Sequence, residues 1–297
     1  MHRPAPGHAI RIAPGVRTVL ASNPGPMTYW GTNSYLLGED EIAIVDPGPD
    51  DAAHRSALLQ AASHGTVTHI FVTHAHGDHS AGAKALATLT GAPIYAFGGP
   101  KAGRRPTMKS LGDIGDIGGG EGVDHGFSPD IHVADKDRLC GAGWALDVVH
   151  LPGHFAGHIA LKFGDLMMTG DHVMDWASSV VSPPDGHLGD FLASCHRLIA
   201  MAPKTCLTGH GAPIDDPGDR LEWLISHRKM REEQILTALG KALMSIDALV
   251  AEIYRDIPRN LHPAAARNVL AHLLDLSERG IIEAPPGPAN NAIFRMR

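Results

Sequence analysis

The sequence predicts an α/β fold in which short strands and helices interleave over most of the chain, followed by a small helical tail. Three observations lead there. Short apolar runs bounded by Gly and Pro recur from Val16 to Thr208, too brief for helices and of strand length. Ligand-type side chains gather where those runs end. From Pro217 onward glycine thins and helical periodicity takes over, which divides the chain into residues 1–216 and 217–297.

In chain order, the Pro/Gly-rich first residues predict an extended arm, and residues 16–21, 34–37 and 42–45 predict three strands. Between the first two lies the loop 23–31, which holds Met27, Tyr29 and Trp30. Asp46-Pro47-Gly48 ends the third strand, and residues 51–64 predict a helix with Leu58 and Leu59 inward. His69-Ile70-Phe71-Val72 is the next strand, and residues 81–90 predict a helix beginning beside His79. Residues 98–130 are Gly-rich and poor in aliphatics, with Lys101, Arg104, Arg105 and Lys109 followed by Asp113, Asp116, Glu121 and Asp124. So long a loop in a compact domain predicts either a solvated surface insertion or, the reading preferred, a mobile lid whose basic half, with Arg104 and Arg105, meets an anionic group of the substrate. Strands resume at 131–133, 145–149, 158–163 and 166–169; a second pocket wall is expected at 175–186. A helix at 191–201 and a strand at 205–208 complete this part. The tail predicts helices at 221–240, 246–254 and 264–279, the second capped by Ser245, then a hairpin from 281–283 and 292–295 around Pro285–Pro288.

The chemistry concentrates in Thr73-His74-Ala75-His76-Gly77-Asp78-His79. Alternate residues on a turn leaving a strand can face a common centre, so His74 and His76 suit one metal while Asp78 and His79 turn towards a neighbouring one. Imidazole and carboxylate suit zinc, which takes about four ligands at roughly 2.0–2.2 Å. One loop is too few for two ions, and His154, Asp171 and His210 supply more, each ending an apolar run beside a glycine. A chain with 20 His will place some beside strands by chance, but the joint pattern is far harder to reach by accident.

His-X-His-X-Asp-His, then Pro-Gly-His, Gly-Asp and Gly-His-Gly in that order resembles the metallo-β-lactamase-fold hydrolases of the glyoxalase II type, over roughly residues 16–215. The resemblance implies a four-layer αββα sandwich. It implies that His74, His76 and His154 hold one zinc, that Asp78, His79 and His210 hold the other, and that Asp171 bridges them. Relatives take iron or manganese at similar sites, so those metals are alternatives. The loop bearing Met27 and Trp30 resembles one that overhangs the metals and contacts substrate. Asp46 and His158 resemble positions that support the site without ligating. Helix, helix, hairpin in the tail resembles a winged helix, an arrangement shared with the lactamase-β-like endoribonucleases.

Two such ions would lower the pKa of a shared water towards ~7 and supply a nucleophile for a carbonyl or phosphorus, and Asp78 could also shuttle the proton to the leaving group. The expected activity is hydrolysis of a small ester, thioester or lactone; metal-dependent ribonuclease and a non-catalytic metal-binding module are the alternatives. A formal charge of −7 does not favour nucleic acid. From Arg220 the tail carries eleven Lys/Arg against nine Asp/Glu, too mild a surplus for a nucleic-acid wing. Packing, homodimerisation or closure of the substrate site is therefore its expected role. Cys140, Cys195 and Cys206 show no paired spacing, the first residues lack a signal-peptide core and no run nears the ~18 apolar residues of a membrane span. The expectation is a cytoplasmic protein with a small, anionic substrate and no membrane partner.

Overall fold

The computed structural model describes residues 3–114, 119–120, 122–283 and 292–297, with side chains left out at 111–114. The side chain of Asp113, residues Asp116 and Glu121, and the Pro285–Pro288 turn lie outside the described residues.

Strands β1 (Ala9–Ala13), β2 (Val16–Leu20), β3 (Asn33–Leu37) and β4 (Glu41–Val45) form an antiparallel meander; α1 (Ala52–Ala61) follows. Strand β5 (Thr66–Phe71) joins β4 in parallel, and after α2 (Gly77–Ser80) and α3 (Ala83–Thr90) come β6 (Ile94–Ala96), α4 (Pro106–Ile114) and β7 (Ile131–His132). These make a seven-stranded sheet in sequential order. A six-stranded sheet holds β8 (Arg138–Gly141), β9 (Trp144–His150), β10 (Ile159–Phe163), β11 (Leu166–Gly170), β12 (Thr205–Thr208) and β13 (Ile214–Asp215), with α5 (Leu188–Met201) between β11 and β12.

Period-two alternation explains the layering. In β3 and β4, Tyr35, Leu37 and Val45 face the second sheet and pack with Leu146, Val148, Ile159, Leu161 and Met168. Leu36, Ile42 and Ile44 point the other way, onto Leu58 of α1 and Leu86 of α3. On the far side, Phe191, Cys195 and Leu198 of α5 cover Ala160 and Met167. Helix, sheet, sheet, helix is the αββα order.

The helical tail comprises α6 (Gly218–Leu239), β14 (Met244–Ser245), α7 (Ile246–Ile253), a 3₁₀ turn at Arg259–Leu261, α8 (His262–Glu278), β15 (Ile282–Glu283) and β16 (Ile293–Met296). The last strand pairs with both β14 and β15, which completes the wing. Helix α6 serves two cores: Leu221 and Leu224 pack under the second sheet, while Ile235 and Leu239 join Leu249, Leu270, Leu273 and Phe294.

Two local readings need correction. Asp78 and His79 lie inside the single turn α2, and the helix expected at 81–90 begins only at Ala83. The stretch 98–130 is not irregular throughout, because α4 docks on the tail: Met108 is buried in the tail core and the Thr107 hydroxyl donates to Glu278 Oε1 at 2.9 Å.

Candidate metal centre

The seven candidate ligands arrive from loops at one end of both sheets. His74 and His76 follow β5, α2 carries Asp78 and His79, and His154, Asp171 and His210 follow β9, β11 and β12. They converge as two sets: His74, His76, His154 and Asp171 in one, Asp78, His79 and His210 in the other, each with its donor atoms within 4.8 Å of one another.

Hydrogen bonds behind the rings decide which nitrogen faces inward. His154 Nδ1 donates to the Val180 carbonyl (2.6 Å) and His210 Nδ1 to the Gly31 carbonyl (3.0 Å). Asp46 accepts from the Thr73 amide (2.7 Å), the Thr73 hydroxyl (2.8 Å) and His79 Nδ1 (2.9 Å). Because the Thr73 hydroxyl is already spent on Asp46, it accepts from His74 Nδ1 at 3.0 Å. Each of these rings therefore turns Nε2 to the centre, the tautomer that metal coordination needs. Ser34 bonds the Asp46 carbonyl and, at 2.8 Å, the ring of buried His54.

The inward nitrogens crowd. His76 Nδ1 lies 2.9 Å from His74 Nε2 and 3.1 Å from His154 Nε2. Such contacts between lone pairs repel unless a proton or a metal cation lies among them. Protons are disfavoured there: burial, then the neighbouring imidazoles, push His74 well below the usual value, and burial and His154 push His76 down to about 3. The donor set fits a divalent cation. Across the centre, His79 Nε2 is 3.3 Å from His210 Nε2, and Asp171 lies between the sets, with Oδ1 3.3 Å from His79 Nε2 and Oδ2 3.3 Å from His210 Nε2 and 3.8 Å from His154 Nε2. Burial alone would lower His79 and His210, but the carboxylates outweigh it. Asp78, Asp171 and Asp46 hold His79 well up, and Asp171 and Asp78 raise His210 to about 9.

His158 is wholly buried, its ring 5.0 Å from that of His74, and neither ring nitrogen has a hydrogen-bond partner among the described residues. It contacts the centre by packing. Met27 is half exposed; Trp30 stacks on Tyr29 (5.0 Å), and Tyr29 stacks on Trp176 (4.8 Å) from the expected second wall. Gly31, next to Trp30, supplies the carbonyl on His210, so this aromatic rim borders the second set. The basic pair is engaged within the protein: Arg104 is buried against Asp185, and Arg105 pairs with Asp190 and lies 3.9 Å from Glu278. Both guanidiniums already face carboxylates.

Sequence reasoning did not single out the carbonyls of Gly31 and Val180, because a backbone acceptor carries no residue-type signal. It also passed over Arg228, whose signal was present: Leu221, Leu224, Ile225 and position 228 share one helical stripe, and a charge there departs from an apolar pattern.

The chain belongs to the metallo-beta-lactamase superfamily, whose pattern matches residues 27–240; the beta-lactamase associated winged helix domain matches 245–285. That places it among metal-dependent hydrolases. A beta-lactamase-like protein 2 homolog of Drosophila melanogaster is 30% identical over 282 residues, 91% of this chain and 90% of that protein. An atrochrysone carboxyl ACP thioesterase of Claviceps purpurea is 28% identical over 261 residues, 82% of this chain and 73% of the other. The fold matches a beta-lactamase domain protein from Burkholderia ambifaria with a TM-score of 0.80 at 24% identity, covering 99% of this chain and 95% of that one. TTHA1623 in a di-iron-bound form matches with a TM-score of 0.51 at 25% identity, over 68% of this chain and 96% of its own. Among the described residues no helix is long and apolar enough to cross a membrane.

Proposed function

We propose that this chain is a dinuclear zinc hydrolase acting on a small ester, thioester or lactone. The observation that carries the reading is the convergence of inward-facing donors in two adjacent sets with Asp171 between them. His74, His76 and His154 would hold one ion, Asp78, His79 and His210 the other, and Asp171 both. Bound there, a pair of divalent ions supplies Lewis acidity and a water that is nucleophilic near neutral pH.

The chain's own groups do the rest. Asp46, the Val180 carbonyl and the Gly31 carbonyl hold the rings in the orientation described above. Asp78 is the most accessible of the three residues in its set, with 27% of its side chain exposed, and its Oδ2 lies 3.4 Å from the Thr32 hydroxyl. Burial would raise its pKa, but His79 and His210 hold it low, so it stays ionised; as the accessible carboxylate of its set it is also the group placed to relay a proton to a leaving group. The rim of Tyr29, Trp30 and Trp176 offers flat apolar area, which suits an acyl group with apolar or aromatic bulk.

Thioester cleavage is supported by the Claviceps relative, and iron as an alternative metal by the di-iron neighbour. Ribonuclease activity finds less support: Arg220 donates to the Met174 and Ala177 carbonyls and Arg228 to Ser179, inside the protein rather than towards a phosphate backbone.

The test is a parallel screen of zinc- and iron-loaded protein against esters, thioesters, lactones, a phosphodiester and RNA. Turnover confined to the acyl substrates is expected. Cleavage of RNA alone would overturn the reading.

A further inference from the structure

We propose that the C-terminal tail is a working part of the metal centre, with Arg228 and Asn268 as positioning residues that set the orientation of His154 through the segment 179–181. The proposal rests on the metal reading of His154 given above.

The connection is short and continuous. His154 Nδ1 donates to the Val180 carbonyl at 2.6 Å. Both neighbours of Val180 are tied to the tail: the Ser179 carbonyl accepts from Arg228 Nη2 on α6, and the Val181 amide donates to Asn268 Oδ1 on α8 at 3.1 Å. That same Asn268 oxygen accepts from Arg228 Nη1 at 2.9 Å, so the two tail residues brace each other. The segment also reaches the opposite ligand, since the Ser179 hydroxyl bonds the carbonyls of Asp171 (2.6 Å) and His172 (3.0 Å). Three residues of backbone thus stand behind His154 and Asp171 together, and tail side chains hold them in place.

Arg228 is an expensive way to fill its position. It is 2% exposed, sits on the apolar stripe of α6, lies over the Phe191 ring at 5.3 Å and makes no salt bridge among the described residues. A buried guanidinium without a carboxylate is disfavoured relative to a packed apolar side chain of similar size. What it supplies that Leu or Met cannot is a pair of directed N–H groups, one for the Ser179 carbonyl and one for Asn268. Arg220 and Arg267 repeat the pattern on either side, donating to the Met174 and Ala177 carbonyls and to Ser182 Oγ with the Pro183 carbonyl. The run from Met174 to Pro183 is therefore gripped from the tail at six residues, mostly through its backbone. An imidazole that ligates metal depends on the partner of its outer nitrogen for its direction, and here that partner depends on the tail.

The test uses the full chain as wild type, Asn268→Ala, Asn268→Asp and Arg279→Ala, each stripped with chelator and reloaded with Co²⁺ or Zn²⁺. Arg279 bonds Glu232 and Asp275 within the tail and does not touch the loop, so its variant reports tail destabilisation alone. Ions per chain, affinity by competition, the cobalt visible absorption and the melting temperature are measured. Asn268→Ala is expected to weaken one of the two ions about tenfold or more and to shift the cobalt spectrum. Asn268→Asp, which keeps an acceptor for both Val181 and Arg228, should restore both, while Arg279→Ala lowers the melting temperature and leaves affinity unchanged. Wild-type affinity and spectrum in folded Asn268→Ala would overturn the proposal. An equal loss of affinity in Arg279→Ala would do the same, by showing a generic effect of tail stability. Wild type that takes up no ion would instead sink the metal reading beneath it.

Discussion

The two halves of the centre are built from the same kinds of side chain, and their imidazoles are pushed in opposite directions. Around His74, His76 and His154, burial and mutual repulsion keep the imidazoles low and neutral. Beside them, His79 and His210 face Asp78 and Asp171, with Asp46 behind His79, and are pushed up, which favours their protonated forms in the absence of metal. Histidine is a candidate ligand in both, but the ratio of carboxylates to imidazoles decides how strongly each site favours protons when no metal is bound. A metal bound by both sets would have to displace protons chiefly in the second half.

Breaking either half is the largest test. His76→Ala in the first and Asp78→Ala in the second should each lower kcat by about 10²–10⁴-fold or more, with the fold retained by circular dichroism. Unchanged turnover in either would remove that half from the chemistry.

The charge difference itself is read by calorimetry of zinc loading in buffers of different ionisation enthalpy. Proton release at pH 7 should be substantial and should shrink as the pH rises through 9, where His210 gives up its own. His76→Ala should keep most of that release, and His210→Gln should lose much of it. Equal loss in both would mean that the halves are not distinct.

Without metal, the same asymmetry shapes stability. Histidines whose folded pKa is raised stabilise the native state below their unfolded value of about 6.5, and that contribution is lost as pH rises through the folded value. The metal-free protein should therefore lose stability between pH 7 and 10, and His210→Gln should flatten that decline. Towards acid the sign reverses for groups held low, whose unfolded forms bind the proton. His54 (about 4), His76, His172 and His272 (each about 3) all contribute there, so no single variant should remove that limb. Denaturant midpoints against pH in chelator check both limbs.

The smallest effect concerns the rim above the second half. Trp176→Ala should raise KM for aromatic acyl substrates roughly three- to tenfold, the order of one lost ring stack plus its buried area, with kcat little changed. A drop in kcat with KM constant would place Trp176 in the support of His210 rather than against substrate.

The sequence alone determined the ligand candidates, the strand alternation and the helical character of the tail. These are encoded locally: His-X-His-X-Asp-His lies within six residues, and period-two or period-3.6 patterns need only near neighbours to be seen. The tertiary structure decided which of the histidines are pushed towards the protonated form, because Asp46 and Asp171 reach His79 and His210 from distant parts of the chain. It also decided that Arg104 and Arg105 face Asp185 and Asp190, some eighty residues on, and that α4 belongs to the tail. Arg228 meeting Ser179 is of the same kind. A charge's role depends on what lies within a few ångströms of it, and that distance is set only when remote segments pack.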